Sequence, residues 1–204
     1  MKLYFSPEAI SLAPHILMVE LGLDVELVRV NLRTKETSDG SDFLSLNPNG
    51  YVPTLVLDED HILTETAAML LYLADLKPEL QLAPLSGTWE RAEMWDALSF
   101  ISTELAALCT PLFMPEISDE TKVQIRKKLL TRLEYLAFRS SGQQYYLSDQ
   151  FTVIDAYLFC VLGWLPRFTI DILQWPVLAE LMDRYYERPS VIKAQQIESD
   201  FAPV

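Results

Sequence analysis

The order of predicted elements changes once along the chain, and this change limits the folds that the chain can adopt. Up to about residue 78 the hydrophobic pattern predicts strand, helix, strand, helix, strand, strand and helix, beginning with the strand "KLYF". Residues 79–87 contain Pro84 and Gly87 and predict a linker. From residue 88 to 204 only helical periods follow. We therefore expect an α/β domain over 1–78 and an all-α domain over 88–204.

Composition and charge exclude several classes of protein. The 204 residues are 50% hydrophobic and 22% charged, which is sufficient for a packed core. The formal net charge of -13 disfavours binding to nucleic acid and to anionic membranes. The N-terminus lacks the apolar length of a signal peptide, and we find no run of the roughly 18 apolar residues that a membrane span needs. We expect a cytoplasmic protein with no nucleic-acid or membrane partner.

The few cysteines and histidines give no sign of a metal site. Cys109 and Cys160 are the two cysteines, and His15 and His61 are the two histidines. Neither histidine is near a cysteine in the sequence, so no zinc-like spacing exists and we expect no bound metal. A disulfide is compatible with the sequence, but nothing in it requires one.

Two short stretches are candidate ligand-binding positions, each with a purely structural alternative. In "GYVPTLV", Pro53 at the entrance to a strand predicts a strand edge or a cis turn, and Val52 would then offer free backbone groups to an extended peptide. The alternative is an ordinary proline at a strand start. In "LTETAA", Glu65 and Thr66 open the third helix, whose N–H groups suit a carboxylate ligand. The alternative is a simple helix cap.

A third stretch, "FTVIDAYLF", predicts structure without chemistry. Thr152 and Asp155 have the spacing of a capping box, and Phe151 can act as its hydrophobic staple. We expect this pair to anchor a buried helix.

In their order and spacing, these segments resemble those of the cytosolic glutathione transferases along essentially the whole chain, and the bacterial Beta class most closely. The resemblance rests on "KLYFSP", "SLAPHI", "VELVRVNLRTK", "LNPNGYVPTLVLD", "LTETAAMLLYLADL", "FISTEL" and "FTVIDAYLF". It implies a thioredoxin-like N-terminal domain, an all-α C-terminal domain and a homodimer. It also implies that glutathione binds as co-substrate in a cleft between the domains.

The resemblance further implies which residues bind glutathione. A cis-Pro53 would present the Val52 backbone to the cysteinyl part of the tripeptide. Glu65 and Thr66 would hold the γ-glutamyl end, and Lys35 would approach the glycyl carboxylate. Some contacts in this family come from the neighbouring subunit. The full set of positions is Ile10, Lys35, Tyr51, Val52, Pro53, Glu65, Thr66, Ser99, Ser102, Thr103 and Glu104, with Phe113 and Trp164 on the side of the hydrophobic substrate.

The sequence departs from the Beta-class pattern at four positions. Ile10 stands where these proteins typically have Cys, so a mixed disulfide with glutathione cannot form. Ala106 and Ala107 replace the typical His and Lys, and Glu8 replaces a usual Gly. The donors and the thiol that this class uses around the glutathione sulfur are therefore absent from these positions.

Ser11 is the remaining candidate for catalysis. It opens the first helix, and its hydroxyl is of the type that stabilises a thiolate; the alternative is that Ser11 only caps the helix. Two functions follow. One is a glutathione S-transferase that conjugates the thiol to small hydrophobic electrophiles. The other is a catalytically weak or inactive protein that binds glutathione or a hydrophobic ligand. The retained positions Lys35, Glu65 and Thr66 favour the transferase.

Overall fold

The computed structural model describes residues 1–58, 61–140 and 142–201. It divides into two compact units. The first contains residues 1–81 together with the C-terminal segment that begins at Glu187, and the second contains residues 82–186. Glu59 and Asp60, Ser141 and residues 202–204, which belong to the expected domains, lie outside the described residues.

The first unit is built on a four-stranded mixed sheet. Its strand order is β2-β1-β3-β4, with β1 parallel to β2 and antiparallel to β3, and β3 antiparallel to β4. Along the chain the strands and helices alternate as the hydrophobic pattern predicts, which confirms the expected thioredoxin-like domain. The elements are β1 Lys2–Phe5, α1 Leu12–Glu20, β2 Glu26–Arg29, α2 Phe43–Leu46, β3 Thr54–Val56, β4 Ile62–Leu63 and α3 Thr66–Asp75, followed by a 3-10 turn at Pro78–Leu80.

Local sequence explains where the helices of this unit begin and end. Gly22 adopts φ 59° after α1, and across it Leu23 N–H donates to the Met18 carbonyl at 2.9 Å, which ends the helix. The Asp42 carboxylate accepts from the N–H groups of Leu44 and Ser45 and so starts the single turn of α2.

The C-terminal helix packs on α1 rather than within the helical unit. This helix, α9, spans Pro189–Ser199 and belongs to the same compact unit as the sheet. The expected helical domain extends to 204, so the packing differs from that expectation after Tyr186. The reason is a set of long-range contacts to α1, including an ion pair between Arg188 and Glu20. Nothing in the helical periodicity of the C-terminal residues specifies which unit they join.

The second unit is entirely helical, as expected. The capping box of its buried helix forms in full: Thr152 N–H donates to the Asp155 carboxylate at 2.8 Å, and Asp155 has no exposed surface. Burial raises the pKa of Asp155, although bonds from Tyr185, Tyr146 and Thr152 act against that rise. The helices are α4 Trp89–Phe100, α5 Ala107–Cys109, α6 Asp119–Arg139, α7 Val153–Gly163 and α8 Pro176–Tyr186, with 3-10 turns at Thr110–Phe113, Leu165–Phe168 and Ile172–Gln174.

One helical run in this unit is long and apolar on average. Trp89–Phe113 is continuous over 25 residues, and its most apolar window has a mean hydropathy of 1.2. By length and average hydropathy alone it could cross a bilayer, but Asp96 and Glu104 interrupt it, so it contains no run of roughly 18 apolar residues. Core helices of soluble proteins meet the same criterion.

Candidate functional site

The strand register brings four loops to one edge of the sheet. Tyr4 lies opposite Thr54, and Leu55 lies opposite Leu63. Continuing these antiparallel pairings by two residues places the exit from β1, the entry to β3 and the exit from β4 at the same edge. Because β2 runs parallel to β1, the loop after β2 begins there too. This edge therefore gathers the turn at 6–11 and the loops that carry Lys35, Val52–Pro53 and Glu65–Thr66.

At this edge the Val52–Pro53 peptide bond is cis, as the resemblance implies. The Val52 side chain is buried in a cluster with Tyr4, Val28 and Phe43, which fixes the orientation of its backbone. Within the described ranges, no hydrogen bond is formed by the N–H or the C=O of Val52. An extended peptide can pair with such free groups in the manner of an added strand.

Asn47, which sequence reasoning missed, holds this bend in place. Its side-chain amide donates to the Tyr51 carbonyl and to the Thr54 hydroxyl oxygen, both at 2.9 Å. The Thr54 hydroxyl in turn donates to the Tyr51 carbonyl at 3.1 Å. The one available signal was the "NPNG" stretch, since Asn at the end of α2 often makes such local bonds.

The structure brings Lys35 to the same loop. Lys35 Nζ donates to the Gly50 carbonyl at 2.8 Å and lies 5.8 Å from the centre of the Tyr51 ring, which is largely exposed. Lys35 itself has φ 64°, in the left-handed region. An ammonium group carries three protons, so this contact leaves donors for an anionic ligand.

The start of α3 presents donors and one carboxylate without partners. Glu65 precedes the helix in an extended conformation, is exposed, and makes no side-chain cap. In the part of the chain that the structure describes, no acceptor takes the N–H groups of Thr66, Ala67 and Ala68, and the Glu65 carboxylate has no donor. The simple-cap alternative is therefore not what the geometry favours. A ligand carboxylate fits the N–H groups, and a ligand ammonium fits Glu65.

Ser11 does not have the surroundings expected of a catalytic hydroxyl. It is fully buried; its Oγ accepts from the Ser6 N–H at 3.1 Å and donates its one proton to the Ser6 carbonyl at 3.2 Å. It also makes no side-chain cap on α1. Both sequence interpretations, thiolate donor and helix cap, give way to a third: Ser11 closes the turn at 6–11. The physical reason is that a hydroxyl has a single proton to give.

The rest of this turn carries Ile10 and Glu8. Ile10 is partly exposed, and the N–H groups of Ile10 and Ser11 meet no acceptor among residues 1–58, 61–140 and 142–201. Glu8 adopts φ 62°, a conformation that glycine adopts without strain. This explains why a glycine suits the position, which in this chain is occupied by a charged residue.

The positions expected from the helical unit lie on or near a π-helical turn, Ile101–Ala106. The Thr103 hydroxyl donates to the Ser99 carbonyl at 2.9 Å, and Ser102 is partly exposed. The Glu104 carboxylate lies 2.6 Å from Arg132 Nε, so it already has a cationic partner on α6. The expected contact of Glu104 with glutathione stays a prediction, and it would have to form beside this ion pair. Arg132 was missed because 28 residues separate the pair.

Phe113 and Trp164, the positions expected on the hydrophobic-substrate side, are brought into contact. Their rings meet edge to face at 5.4 Å, and Phe113 also packs against Phe168 at 4.8 Å. Phe113 remains 42% exposed while Phe168 is buried. The buried Phe168 ring supports the exposed Phe113 ring, which leaves an aromatic surface that suits contact with an apolar ring.

Sequence reasoning also missed a buried pair in the first unit. His15 Nδ1 on α1 lies 2.9 Å from Glu198 Oε1 on α9. The available signal was the spacing of Val191, Ala194 and Glu198, which places the glutamate on the buried face of its helix.

Neither cysteine chemistry nor a metal site emerges from the described residues. Cys109 and Cys160 are buried and are not joined in a disulfide, and burial raises the pKa of Cys109 to about 12. Within the described ranges, no group of three His, Cys, Asp or Glu side chains is arranged to hold a metal ion.

Comparison with known proteins gives the family. Residues 1–75 match the model of the glutathione S-transferase N-terminal domain, and residues 100–189 match that of the C-terminal domain. The glutathione S-transferase GstA of Escherichia coli O157:H7 is 38% identical over 198 residues, with 97% of this chain and 98% of the relative covered.

Solved structures agree with this assignment. The chain is similar to a sphingomonad glutathione S-transferase complexed with glutathione, at 40% identity and a TM-score of 0.94, covering 98% of this chain and 100% of that one. It is also similar to the Beta-class glutathione S-transferase of Sphingomonas chungbukensis, at 42% identity and a TM-score of 0.93, covering 97% and 98%. This chain therefore belongs to the glutathione S-transferase family, a family of transferases, and is of the bacterial Beta-class-like type.

Proposed function

We propose that this protein conjugates the thiol of glutathione to small hydrophobic electrophiles. The observation that carries the proposal is the sheet edge at which the free backbone of Val52, the start of α3 and Lys35 meet. These groups match the backbone, the γ-glutamyl end and the glycyl carboxylate of the tripeptide.

Each part of glutathione has a complementary group at this edge. The cysteinyl N–H and C=O pair with the Val52 backbone beside Pro53. The γ-glutamyl carboxylate lies against the N–H groups and the hydroxyl of Thr66, and its ammonium group donates to Glu65. The glycyl carboxylate is neutralised by Lys35, with Tyr51 beside it. Ile10 borders the sulfur and contributes only packing.

Backbone N–H groups, rather than a side chain, stabilise the glutathione thiolate in this proposal. A free thiol has a pKa near ~8.5, and lowering it by one unit requires about 1.4 kcal/mol. Ser11 Oγ has no proton to spare, since it donates to Ser6. The N–H groups of Ile10 and Ser11 point from the start of α1 with no acceptor in the described part of the chain. A helix N-terminus supplies stabilisation of this order.

The conjugation itself is a nucleophilic displacement. The thiolate sulfur forms a bond to the electrophilic carbon, and the leaving group departs with the bonding pair as an anion. The exposed face of Phe113, with Trp164, provides an apolar surface for the electrophile. Because Ile10 has no sulfur, the reaction proceeds without a protein–glutathione disulfide.

One observation favours a second candidate, a catalytically weak or inactive protein that binds glutathione or a hydrophobic ligand. Ile10 and Ala106 have no side-chain donor, and the Ser11 hydroxyl already donates to the Ser6 carbonyl. The positions expected to face the sulfur therefore offer it no side-chain hydrogen bond. Under this candidate the same edge binds glutathione, but the bound thiol keeps its ordinary pKa.

We further propose a cytoplasmic homodimer, in which some contacts to glutathione come from Ser99, Ser102 and Thr103 of the neighbouring subunit. Trp89–Phe113 is in this proposal a packed helix and not a membrane span. Its support is the buried series Leu98, Ile101, Leu105 and Cys109 along one side of the run, each with no exposed surface.

The test combines binding and turnover. The purified protein should be retained on immobilised glutathione, elute with free glutathione, and conjugate a simple aryl halide. Retention without turnover would favour the binding protein. Failure of retention, together with no thermal shift in millimolar glutathione, would rule out the transferase and the glutathione-binding form of the second candidate.

A further inference from the structure

The buried His15–Glu198 pair joins the first and the last helix of the sheet-containing unit. The two side chains are 1% and 4% exposed and lie 183 residues apart in the sequence. The other residues of α9 that face inwards, Val191 and Ala194 among them, are small or apolar. A pair of ionisable groups is therefore an exception among the buried side chains of this interface.

Packing alone does not account for this pair. Glu198 Oε2 is buried and has no hydrogen-bond partner within the described residues. Burying polar groups that are only partly satisfied costs stability compared with apolar side chains of the same shape. The pair instead makes the packing of the two helices specific, because one short contact fixes the position of α1 against α9.

The end of α9 contacts the chain on both sides of the turn at 6–11. After the turn, His15 lies one helical turn beyond Ser11 and contacts Glu198. Before the turn, the Phe5 ring lies 6.4 Å from the His15 ring and packs edge to face with Phe201 at 5.0 Å. The Phe201 carbonyl also accepts from Arg29 Nη1 at 2.6 Å, which holds it beside the end of β2.

We propose that Glu198 is a positioning residue: by holding His15, it fixes the start of α1 and thereby the N–H groups of Ile10 and Ser11. The proposal rests on the function above, in which those N–H groups face the glutathione sulfur. Loss of the contact should leave the elements that hold the two ends of glutathione in place and should displace the groups that act on its thiol.

The chain contains a matched control for this contact. Arg188 at the start of α9 donates from Nε and Nη2 to the carboxylate of Glu20, at the last residue of α1. This ion pair joins the same two helices but lies at the end of α1 that is far from the turn. Breaking it loosens α9 without acting on the start of α1.

Four variants, the last of them Glu198→Gln, separate positioning from simple stabilisation. Glu198→Ala removes the contact, and the double variant His15→Leu/Glu198→Leu removes it while keeping the interface filled and free of unpaired charge. Glu20→Ala breaks the control ion pair. We would measure hydrogen–deuterium exchange of the peptide covering residues 6–13 and the pKa of bound glutathione from the ultraviolet absorbance of its thiolate.

Glu198→Ala and the double Leu variant should speed exchange in the turn by about tenfold and raise the pKa of bound glutathione by roughly one unit. Glu198→Gln, which keeps a hydrogen bond to His15, should restore both values. Glu20→Ala should change neither, although it lowers the melting temperature. If the double Leu variant folds with the exchange and the thiol pKa of the wild type, the inference is overturned. It is equally overturned if Glu20→Ala has the same effect as Glu198→Ala.

The exchange measurement needs no ligand, so it separates this inference from the function on which it rests. If the wild-type protein binds no glutathione, the proposed function fails, and the exchange rates alone decide whether Glu198 holds the turn. If glutathione binds and no variant alters the turn, the function stands and the positioning role of Glu198 is refuted.

Discussion

Ser11 and Ser6 form a closed pair in which one side chain satisfies both backbone groups of the other residue. Ser11 Oγ accepts from the Ser6 N–H at 3.1 Å and donates to the Ser6 carbonyl at 3.2 Å. The turn between β1 and α1 is therefore held by a hydroxyl that points into the protein. The groups of this turn that remain available to a ligand are therefore backbone N–H groups and not the Ser11 hydroxyl.

Replacing Ser11 with Ala should lower the free energy of unfolding by about 2 kcal/mol, because two hydrogen bonds are lost at a fully buried site. Urea unfolding followed by circular dichroism measures the change. Ser6→Ala is the control: both backbone partners remain, so we expect a change below about 0.5 kcal/mol. A Ser11→Ala protein that is as stable as the wild type would show that this pair does not form.

Glu8 should be a source of backbone strain. Glu8 has φ at 62°, which only glycine adopts freely. In denaturant unfolding, the free energy of unfolding of Glu8→Gly should therefore exceed that of Glu8→Ala by about 1 kcal/mol. The comparison with Ala removes the effect of the lost carboxylate. Equal stability of the two variants would mean that the turn at 6–11 has another conformation.

Gly50 should tolerate a methyl group less well than Gly40. Both have positive φ, but a Cβ at Gly50 would lie 3.2 Å from Lys35 Cε and from Leu44 Cδ2, whereas one at Gly40 meets nothing within 4 Å. Gly50→Ala should therefore weaken glutathione binding by about tenfold by displacing Lys35, while Gly40→Ala costs stability only. Calorimetric titration of both variants tests this. Equal affinities of the two variants for glutathione would show that Lys35 takes no part in binding it.

Stability should depend on pH through Glu198. Burial raises the pKa of its carboxyl group in the folded protein, while the bond from His15 acts in the opposite direction. The protonated carboxyl therefore contributes stability that is fully present below the unfolded pKa of about 4.3 and is lost as the pH rises through the folded pKa. In Glu198→Gln this contribution disappears, so the variant should lose less stability than the wild type across that range. Parallel curves of unfolding free energy against pH would contradict this.

The elements whose signals are local were predictable from the sequence. The strands and helices up to residue 78 follow the local hydrophobic pattern, and the capping box of Thr152 and Asp155 depends on residues within one helical turn of each other. The cis peptide at Pro53 followed from the resemblance to the family, which covers the whole chain.

Features that depend on distant partners were not predictable. Which unit α9 joins is decided by contacts such as His15 with Glu198, and the ion pair of Glu104 with Arg132 likewise links separate helices. Ser11 was misinterpreted for a different reason. Its position at a helix start is the same whether its hydroxyl faces a ligand or the backbone of Ser6, and only the path of the turn distinguishes the two.

The most direct test of the central claim is the affinity of Glu65→Ala for glutathione, measured by calorimetric titration beside Glu79→Ala. Both residues are exposed and both variants remove one negative charge, but Glu79 lies on the 3-10 turn after α3. Loss of a hydrogen bond to a charged group costs about 2 kcal/mol, so we predict that Glu65→Ala weakens binding roughly thirtyfold with an unchanged melting temperature. Glu79→Ala should bind as the wild type does. Equal affinity of Glu65→Ala and the wild type would contradict the placement of glutathione at this edge of the sheet.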